Sequence, residues 1–575
     1  MSNKSPLPDF GFTSVKGMEQ AYVIPMINLI LQEGDIKLSA NDNGICNGLA
    51  AVYVQYALEG KSSQFAKILD AINRKGELLA QKTDPESIQN QTVSDSEINK
   101  FIQEVLNAYL PQEFNKKLSQ EDAVLNLKVP VAQPAPGPDG DVTTVNVPMK
   151  LQRVYNIGLV AERGDWRNIF NRMRVPDTAW TVRTPTHAIA VSVNKEGNFE
   201  VYDPNNNKIR VFKDGDKVNA ASKLANFLSR EAFATEQGPL ETIPLTINVM
   251  AHPESTIAPD SFPDKENFII KNIIKNNPER ANASADVGDN VHFNQLTMAA
   301  IQDDKDLIEA WFRNGASDSR MALKMAARDN KLEAMTILLD EQYRNFLNDA
   351  DGDPSVAYLA ASKIALQAGR LEAFEKLLAD DFVRDTLDKH VQNEQHGKVY
   401  QLFLLKGAAA SRNPECVKAV VNYLNQSVPN LNLAALIKSE DVLQIARNAD
   451  DKRCLNILMA LAEKPLAAHD ADNDYTSSED IHYPQNEEET KQYVSRLPSF
   501  TELLSRLWNW IKSGFTSAKS EQSKIAEQDE AMKPLIATTQ HYKSRAREIR
   551  EENSSPEADS TNDEELSTQN SHSMT

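Results

Sequence analysis

Cysteine is scarce in this chain of 575 residues, which contains only Cys46, Cys416 and Cys454. So few thiols cannot build a disulfide framework, and the composition suits a reducing compartment. No pair of cysteine or histidine residues has the spacing of zinc ligands. Two Asp-rich stretches, 349–353 and 470–474, lack the Gly and the Glu of a calcium-binding loop. The sequence therefore predicts no metal site and no cofactor.

Basic residues are outnumbered, with 62 Lys and Arg against 82 Asp and Glu, so the formal net charge is −20. Nucleic acids and anionic membranes attract basic surfaces, so neither is expected as the main partner, and basic or neutral proteins fit better. Apolar runs long enough to span a bilayer are also missing. Residues 1–12 lack the basic and apolar regions of a Sec signal peptide. The length is enough for three or four domains.

Cys46 stands out among the residues that are present, because it opens an apolar run typical of a buried helix, residues 49–58. The preceding stretch, Asn41 to Gly44, favours a turn, so Cys46 falls in the first helical turn. A helix start lowers the pKa of a thiol, and a neighbouring imidazolium would lower it further. The free N–H groups of that turn could also hold an oxyanion. Cys46 is therefore the candidate nucleophile.

A β-hairpin is predicted at residues 186–205, where two strand-like stretches flank a turn at 194–198. His187 opens the first strand and Asp203 closes the second. Antiparallel pairing would bring both residues to the same end of the hairpin, where a carboxylate can orient an imidazole. His187 and Asp203 are therefore the candidate partners of the thiol.

Residues 15–215 resemble the papain-like cysteine proteases, and within them the YopT-like branch. The resemblance rests on a Cys that opens a helix after Asn-Gly, on His-Ala-Ile-Ala-Val, and on Phe-x-x-Tyr-Asp-Pro-Asn. It implies that Cys46 attacks a carbonyl, that His187 acts as base and then acid, and that Asp203 holds the histidine tautomer. The Gln that such enzymes place shortly before the nucleophile is missing. Asn41 and Asn43 are the candidate oxyanion donors in its place.

Each member of this trio also has a purely structural interpretation. A lone cysteine is usually a small buried hydrophobe, and a histidine or aspartate at a strand end is a common structural residue. The ordered combination of the three favours a catalytic triad. Whether the triad turns over substrate stays open, because effector-type proteins can keep such a fold without activity.

An insertion at about residues 61–150 separates the two halves of the candidate site. Apolar spacing predicts helices at 62–82 and 96–119. The stretch 130–140 is too rich in Pro and Gly for regular structure, and it is interpreted as an exposed loop or hairpin tip, either a lid over the cleft or a plain surface loop. Strand-like segments then complete an α+β domain over residues 1–255. Trp166 and Trp180 fit its core better than the wall of a cleft.

Residues 291–464, after a linker at 256–290, resemble ankyrin repeats. Paired alanines at 299–300 and 326–327 precede similar apolar helices, and the pattern returns near 365, 408 and 446. The intervals are irregular, so longer hairpins are predicted at 341–356 and 384–400, where loops could bind a partner. Cys416 and Cys454 occupy apolar helix positions and are expected in the core.

The C-terminal part is predicted to contain an acidic linker at 465–490, a helical segment at 491–550 and a disordered acidic tail at 551–575. An apolar stripe at 497–515 suits docking on a protein better than on a membrane. The acidic cluster at 563–565 resembles type IV secretion signals. The predicted fold class is an α+β papain-like domain, followed by an all-α ankyrin-like solenoid and a partly disordered tail.

This arrangement resembles the ankyrin effectors of Legionella. The resemblance implies a monomeric effector that enters the host cytoplasm or nucleus and binds host proteins through its repeats. Its reaction would be acyl transfer through a Cys46 thioester, as in proteolysis, deamidation or transamidation. The alternative is a non-catalytic adaptor that binds host proteins and perturbs their complexes, with an inactive triad.

Overall fold

A computed structural model of the chain describes residues 17–34, 40, 44–81, 93–111, 118–120, 122–136, 142–235, 238–286, 292–348, 353–438, 441–449 and 451–463. The predictions for 465–575, including the stripe at 497–515, lie outside these residues. The described residues form two compact units, one of residues 17–20, 44–72 and 93–463 with the gaps just given, the other of residues 21–34, 40 and 73–81.

The smaller unit is held by a close approach and by short polar contacts. A Cβ at Gly76 would lie 2.5 Å from Met26 Sδ, so only glycine fits there. Tyr22 donates a hydrogen bond to Glu77, and the Asn28 side chain pairs with both backbone groups of Ala40. These contacts hold Ala40 and residues 73–81 against residues 21–34.

The first half of the chain is a mixture of helix and sheet. Its helices are α1 Gln20–Glu33, α2 Cys46–Leu58, α3 Ser62–Gln81, α4 Asp95–Tyr109, α5 Arg163–Met173 and α6 Ala220–Phe227. Its strands are β1 Lys128–Pro136, β2 Val142–Lys150, β3 Gln152–Glu162, β4 Thr178–Arg183, β5 Ala188–Val193, β6 Phe199–Tyr202, β7 Ile209–Phe212 and β8 Thr242–Ala251. The structure therefore confirms an α+β domain followed by a helical region.

Six strands form one antiparallel sheet in the order β3-β8-β4-β5-β6-β7. Every residue of β5 is buried, which its sequence favours because all of its residues except Ser192 are apolar. Trp166 and Trp180 lie fully buried in the core beside this sheet, as predicted, and their indole N–H groups donate to Ile243 O and Thr178 Oγ1. The strands predicted at 187–193, 199–202, 208–212 and 242–250 agree with the observed ones to within a residue.

Helix α2 lies against this sheet and against α4. A Cβ at Gly48 would lie 2.4 Å from Val105 O, so the two helices approach as closely as glycine allows. Tyr53 of α2 stacks on Tyr202 of β6 with ring centroids 5.3 Å apart. The start of α2 is thereby fixed in relation to the end of β6.

Two predictions for the insertion were wrong. Helix α4 ends at Tyr109 rather than at 119, because Pro111 disfavours helical backbone at Leu110; residues 112–117 lie outside the described residues. Residues 130–136 form strand β1, paired with β2, instead of an irregular loop. Only every second N–H of such a ribbon faces its partner strand, and Pro130, Pro134 and Pro136 all stand at alternate positions. The rest of the predicted loop or hairpin tip, residues 137–140, lies outside the described residues.

A packed segment connects the sheet to the helical region. It contains the short helix α7 Lys271–Ile274 and the strands β9 Ser284–Asp286 and β10 His292–Asn294, which pair with each other. Ile269, Ile270 and Ile273 are buried in the core. The connection is therefore part of the folded structure.

The helical region consists mainly of paired helices. They are α8 Gln295–Ile301, α9 Lys305–Arg313, α10 Arg320–Asp329, α11 Leu332–Leu338, α12 Ser355–Gln367, α13 Leu371–Ala379, α14 Asp381–Val391, α15 Gly397–Ala409, α16 Pro414–Ser427, α17 Leu433–Lys438, α18 Val442–Asn448 and α19 Lys452–Glu463. Cys416 and Cys454 are fully buried, as predicted.

The hairpin predicted at 384–400 was wrong, because most of that stretch belongs to α14 and α15. Asp380 caps α14 by accepting a hydrogen bond from the backbone N–H of Val383. Val383, Leu387 and Val391 recur at helical spacing and are fully buried. The extra length of this repeat therefore forms a helix rather than a binding loop.

A buried amide joins the sheet to the helical region. The Gln295 side chain donates to Val160 O at 2.6 Å and accepts from Val160 N at 2.9 Å, so it pairs both backbone groups on the outer edge of β3. A Cβ at Gly158 would lie 2.0 Å from Met298 O, which shows how closely α8 covers this strand. A second junction is the ion pair between Asp122 and Lys331, with Oδ2 and Nζ 2.5 Å apart.

Across the described ranges, no helix combines the length and the apolar character needed to cross a bilayer.

Candidate active site

The ends of β5 and β6 bring His187 and Asp203 together. The pairing of Ala190 with Tyr202 places the residue before β5 beside the residue after β6. His187 Nε2 lies 2.8 Å from Asp203 Oδ1, and the Asp203 side chain is only 4% exposed. This is the pairing that the sequence predicts.

Local hydrogen bonds hold both partners in place. Asp203 accepts from the backbone N–H of Asn205 at 2.9 Å and from Asn206 Nδ2 at 2.6 Å. Thr184 holds the backbone of His187 from the other side, because its Oγ1 accepts from His187 N and its N–H donates to His187 O. The carboxylate thus has a fixed orientation toward the imidazole.

Cys46 is the first residue of α2, and its thiol is hydrogen-bonded to the His187 side chain and to the backbone N–H of Ala188. The structure thus brings together Cys46, His187 and Asp203, whose order along the chain gave the prediction.

The electrostatic surroundings favour a charged pair of thiolate and imidazolium. Burial opposes the thiolate, but the hydrogen bond and charge of His187, the Ala188 N–H and the charge of Arg183 together lower the pKa of Cys46. Burial likewise opposes the imidazolium, and the hydrogen bonds and negative charges of Asp203 and Cys46 raise the pKa of His187 to about 10. A thiolate is the reactive form of cysteine.

Gln20 is a site residue that sequence reasoning missed. Its Oε1 accepts from the backbone N–H of Ile45 at 2.8 Å, and its Nε2 donates to Asn205 Oδ1 at 2.7 Å. Asn205 Nδ2 in turn lies 3.3 Å from His187 Nε2. This chain of amides links the start of α2 to the histidine. No sequence pattern marked Gln20, because it stands far before Cys46. The predicted oxyanion donors Asn41 and Asn43 lie outside the described residues.

Asn47 fixes the helix start from the other side. Its buried Nδ2 donates to Ala108 O at 3.0 Å and to Gln120 O at 3.1 Å. Cys46 is therefore held between two anchored neighbours, Ile45 and Asn47. A nucleophile positioned in this way loses little entropy when it attacks.

No protein-family model, curated protein or solved structure matches this chain. The described residues also contain no group of three His, Cys, Asp or Glu side chains that could hold a metal ion. The chemistry of the site therefore has to be argued from its own geometry.

Proposed function

We propose that the protein is a thiol hydrolase or acyltransferase with a papain-like N-terminal domain. The observation that carries this proposal is the chain of contacts from the Cys46 thiol through His187 to the buried Asp203. A thiol, an imidazole and an orienting carboxylate in hydrogen-bond contact are the parts that nucleophilic catalysis needs.

The reaction would proceed through a thioester. The Cys46 thiolate attacks a carbonyl carbon, and the N–H groups at the start of α2 stabilise the resulting oxyanion. The imidazolium of His187 gives its proton to the leaving amine, which departs as the C–N bond breaks. Neutral His187 then takes a proton from water or another acceptor, which attacks the thioester and releases the thiolate. Water as acceptor gives hydrolysis, and an amine gives transamidation.

The helical region would select the protein on which this chemistry acts, as an ankyrin-like array. Paired helices with buried alanines at 299, 326, 365, 408 and 446 support this interpretation. Val356, Phe382 and Val399 are 60%, 46% and 62% exposed, so apolar side chains are available for contact with another protein. We further propose a monomeric effector, secreted by a type IV system, that acts on host proteins in the host cytoplasm or nucleus.

The test is brief labelling of the full chain at pH 6 with a thiol-reactive acyl-type probe, followed by peptide mapping. Wild type should be labelled at Cys46 and the variant His187→Ala should not, while the buried Cys416 and Cys454 stay slow. His252→Ala is a matched control, because Thr178 pairs with Ala251 and Arg183 with Ala188, so His252 lies at the opposite end of β4. Equal labelling of wild type and His187→Ala would refute an activated nucleophile.

The second candidate is a non-catalytic adaptor, which the exposed apolar residues of the helical region favour. The two functions differ in what they require. An enzyme loses its cellular effect with Cys46→Ser and keeps its partner, whereas an adaptor tolerates Cys46→Ser and fails when Val356, Phe382 and Val399 are replaced by Ser.

A further inference from the structure

An aromatic side chain lies against the imidazole of His187. The rings of Phe233 and His187 meet edge to face, with their centroids 5.9 Å apart and their planes at 70°. Phe233 is only 5% exposed, so its ring reaches the imidazole from within the packed core. Rings with this spacing and angle attract each other, because the edge of an aromatic ring is positive and its face is negative. The contact therefore favours one orientation of the imidazole.

An unusual turn of the backbone places Phe233 at His187. Helix α6 is followed by one turn of π-helix, Leu228–Ala232, and the N–H of Phe233 donates to Leu228 O at 3.1 Å. This hydrogen bond spans five residues instead of the four of an α-helix, so it changes the direction in which the next side chain points. Such turns are rare and occur frequently at functional sites. The π-helical turn is thus a second observation, independent of the ring contact, that singles out Phe233.

Hydrogen bonds anchor the loop that carries Phe233. The Ser229 hydroxyl donates to Leu240 O at 2.6 Å, and the N–H of Leu240 donates to Ser229 O at 3.1 Å. Thr235 and Gly238 exchange both of their backbone hydrogen bonds, at 3.0 and 2.9 Å. These bonds tie the two ends of the loop together. A ring anchored in this way can hold a neighbouring side chain in place.

We propose that Phe233 is a positioning residue of the candidate active site, which holds the imidazole of His187 in the orientation that contacts both Cys46 and Asp203. The inference rests on the proposed thiol chemistry and adds a residue to it. Hydrogen bonds from Cys46 and Asp203 lie near the plane of the imidazole, so they resist a tilt of that plane only weakly. A ring packed at 70° to the plane resists the tilt directly.

The effect of Phe233 should be measurable at Cys46. Among the described residues, Asp203 and Cys46 are the charged groups that act on the pKa of His187, and Arg183 acts on the pKa of Cys46. The ring of Phe233 is uncharged, so its substitution changes the geometry of the site and leaves these charges in place. His187 lowers the pKa of Cys46 only while the imidazole points at the sulfur. A tilted imidazole should therefore let the pKa of Cys46 rise toward that of an ordinary thiol.

The test is the pH dependence of Cys46 alkylation by iodoacetamide in the full chain, followed by peptide mapping. In Phe233→Leu, which keeps an apolar side chain beside the imidazole, the midpoint of the acid limb should rise by about half a pH unit to one pH unit, the size that one aromatic pair supports. Phe233→Tyr keeps the ring and should retain the wild-type midpoint. Ser229→Ala loosens the anchored loop and should shift the midpoint in the same direction as Phe233→Leu.

Phe262→Leu is the matched control. Phe262 is a core residue with a similar exposure of 7%, and its ring stacks on Tyr155. This variant should lose stability in the same way as Phe233→Leu and keep the wild-type midpoint. If Phe233→Leu does not fold, the midpoint of Ser229→Ala decides.

Three results would overturn the proposal: an unchanged midpoint in both Phe233→Leu and Ser229→Ala, a shift in Phe233→Tyr as large as in Phe233→Leu, or an equal shift in Phe262→Leu. Any of these would leave Phe233 as a residue of the core alone. Failure of the proposed thiol chemistry looks different. In that case the wild-type midpoint itself would lie near that of an ordinary thiol, about 8.5, and the rate would not depend on His187.

Discussion

The thiol of Cys46 and the imidazole of His187 form a pair in which each group favours the charged form of the other. The lowered pKa of Cys46 means that the thiolate persists below the usual thiol range. The raised pKa of His187, about 10, means that the imidazolium persists up to that pH. The reactive ion pair therefore exists between these two limits.

The rate of Cys46 alkylation by iodoacetamide should consequently fall less between pH 8.5 and pH 6 than the rate of an ordinary thiol. An ordinary thiol loses about tenfold of its thiolate for each pH unit below its pKa, so its rate would fall by more than a hundredfold over this interval. The urea-unfolded protein supplies that ordinary profile as a control. A folded profile that follows the unfolded one would refute the ion pair.

The variant Asp203→Asn removes the negative charge of Asp203 and keeps the size of the side chain, so it tests the effect of the charge alone. The amide can still contact His187 but no longer stabilises the imidazolium, so the pKa of His187 falls and that of Cys46 rises. We expect Cys46 labelling at pH 6 to slow by about tenfold or more, and to recover toward pH 9. Asp214→Asn is the control, because Asp214 pairs with Arg174 at the surface. A loss that is equal at all pH values would indicate misfolding instead.

Gln20→Ala should slow the labelling of Cys46 at pH 6 by about tenfold, because it frees the backbone of Ile45 and the side chain of Asn205. The expected loss in the free energy of unfolding is only about 1 kcal/mol. Gln444→Ala, at an exposed position of α18, is the matched control. An unchanged labelling rate would show that the amide chain does not position the nucleophile.

Helix α2 carries the nucleophile, and its place depends on the close contact of Gly48 with Val105 O. Gly48→Ala should destabilise the protein by about 2 kcal/mol, the usual cost of overpacking, and should also slow Cys46 labelling as the helix shifts. Gly164→Ala is the control, since a Cβ there has no neighbour within 4 Å. Chemical denaturation gives the free energy of unfolding of both variants. Equal values for Gly48→Ala and Gly164→Ala would refute the close contact.

Individual elements were predicted well where neighbouring residues decide the structure. Strand β5 and helix α2 are mostly apolar and largely buried, as their own sequence patterns predict. The prolines of β1 led to the wrong prediction of an irregular loop, because a two-stranded ribbon tolerates proline at alternate positions. The hairpin predicted at 384–400 was wrong because it was based on the irregular repeat intervals and not on the helical spacing of Val383, Leu387 and Val391.

The candidate site was predictable in part. Cys46, His187 and Asp203 each stand beside a strand or helix signal, so their order could be read along the chain. Gln20 reaches the site only through the tertiary fold. Arg183 acts on Cys46 only through its charge, and no sequence pattern marked it.

At the scale of the whole molecule, the ion pair of Asp122 and Lys331 ties the insertion to the helical region. Burial opposes the charge of Asp122, but Lys331 and Ser119 lower the pKa of its carboxyl. Lys331 is only 3% exposed, so the pair is shielded on one side.

Lys331→Met should cost about 3 kcal/mol in the free energy of unfolding, because it leaves a largely buried carboxylate without this partner. The double variant with Asp122→Asn should recover at least half of the loss. Because the pKa of Asp122 is lowered by folding, its contribution is present above the unfolded pKa and is lost as pH falls through the folded one. The gap between wild type and Lys331→Met should therefore shrink in acid.

Lys305→Met is the matched control, since the pair of Lys305 with Glu333 is exposed and 3.5 Å long. Its effect should stay within about 0.5 kcal/mol. Equal effects of the two lysine variants would mean that the junction contributes no more than a surface ion pair.

The contact between Gln295 and β3 limits how the α+β domain can be separated from the helical region. One amide satisfies both backbone groups of Val160 at the rim of the sheet. A gene fusion that replaced the helical region by another domain would expose this edge of β3. An unpaired strand edge can pair with extended backbone of another chain. The helical region therefore protects the edge of the sheet, and the α+β domain without it is expected to associate with other chains through β3.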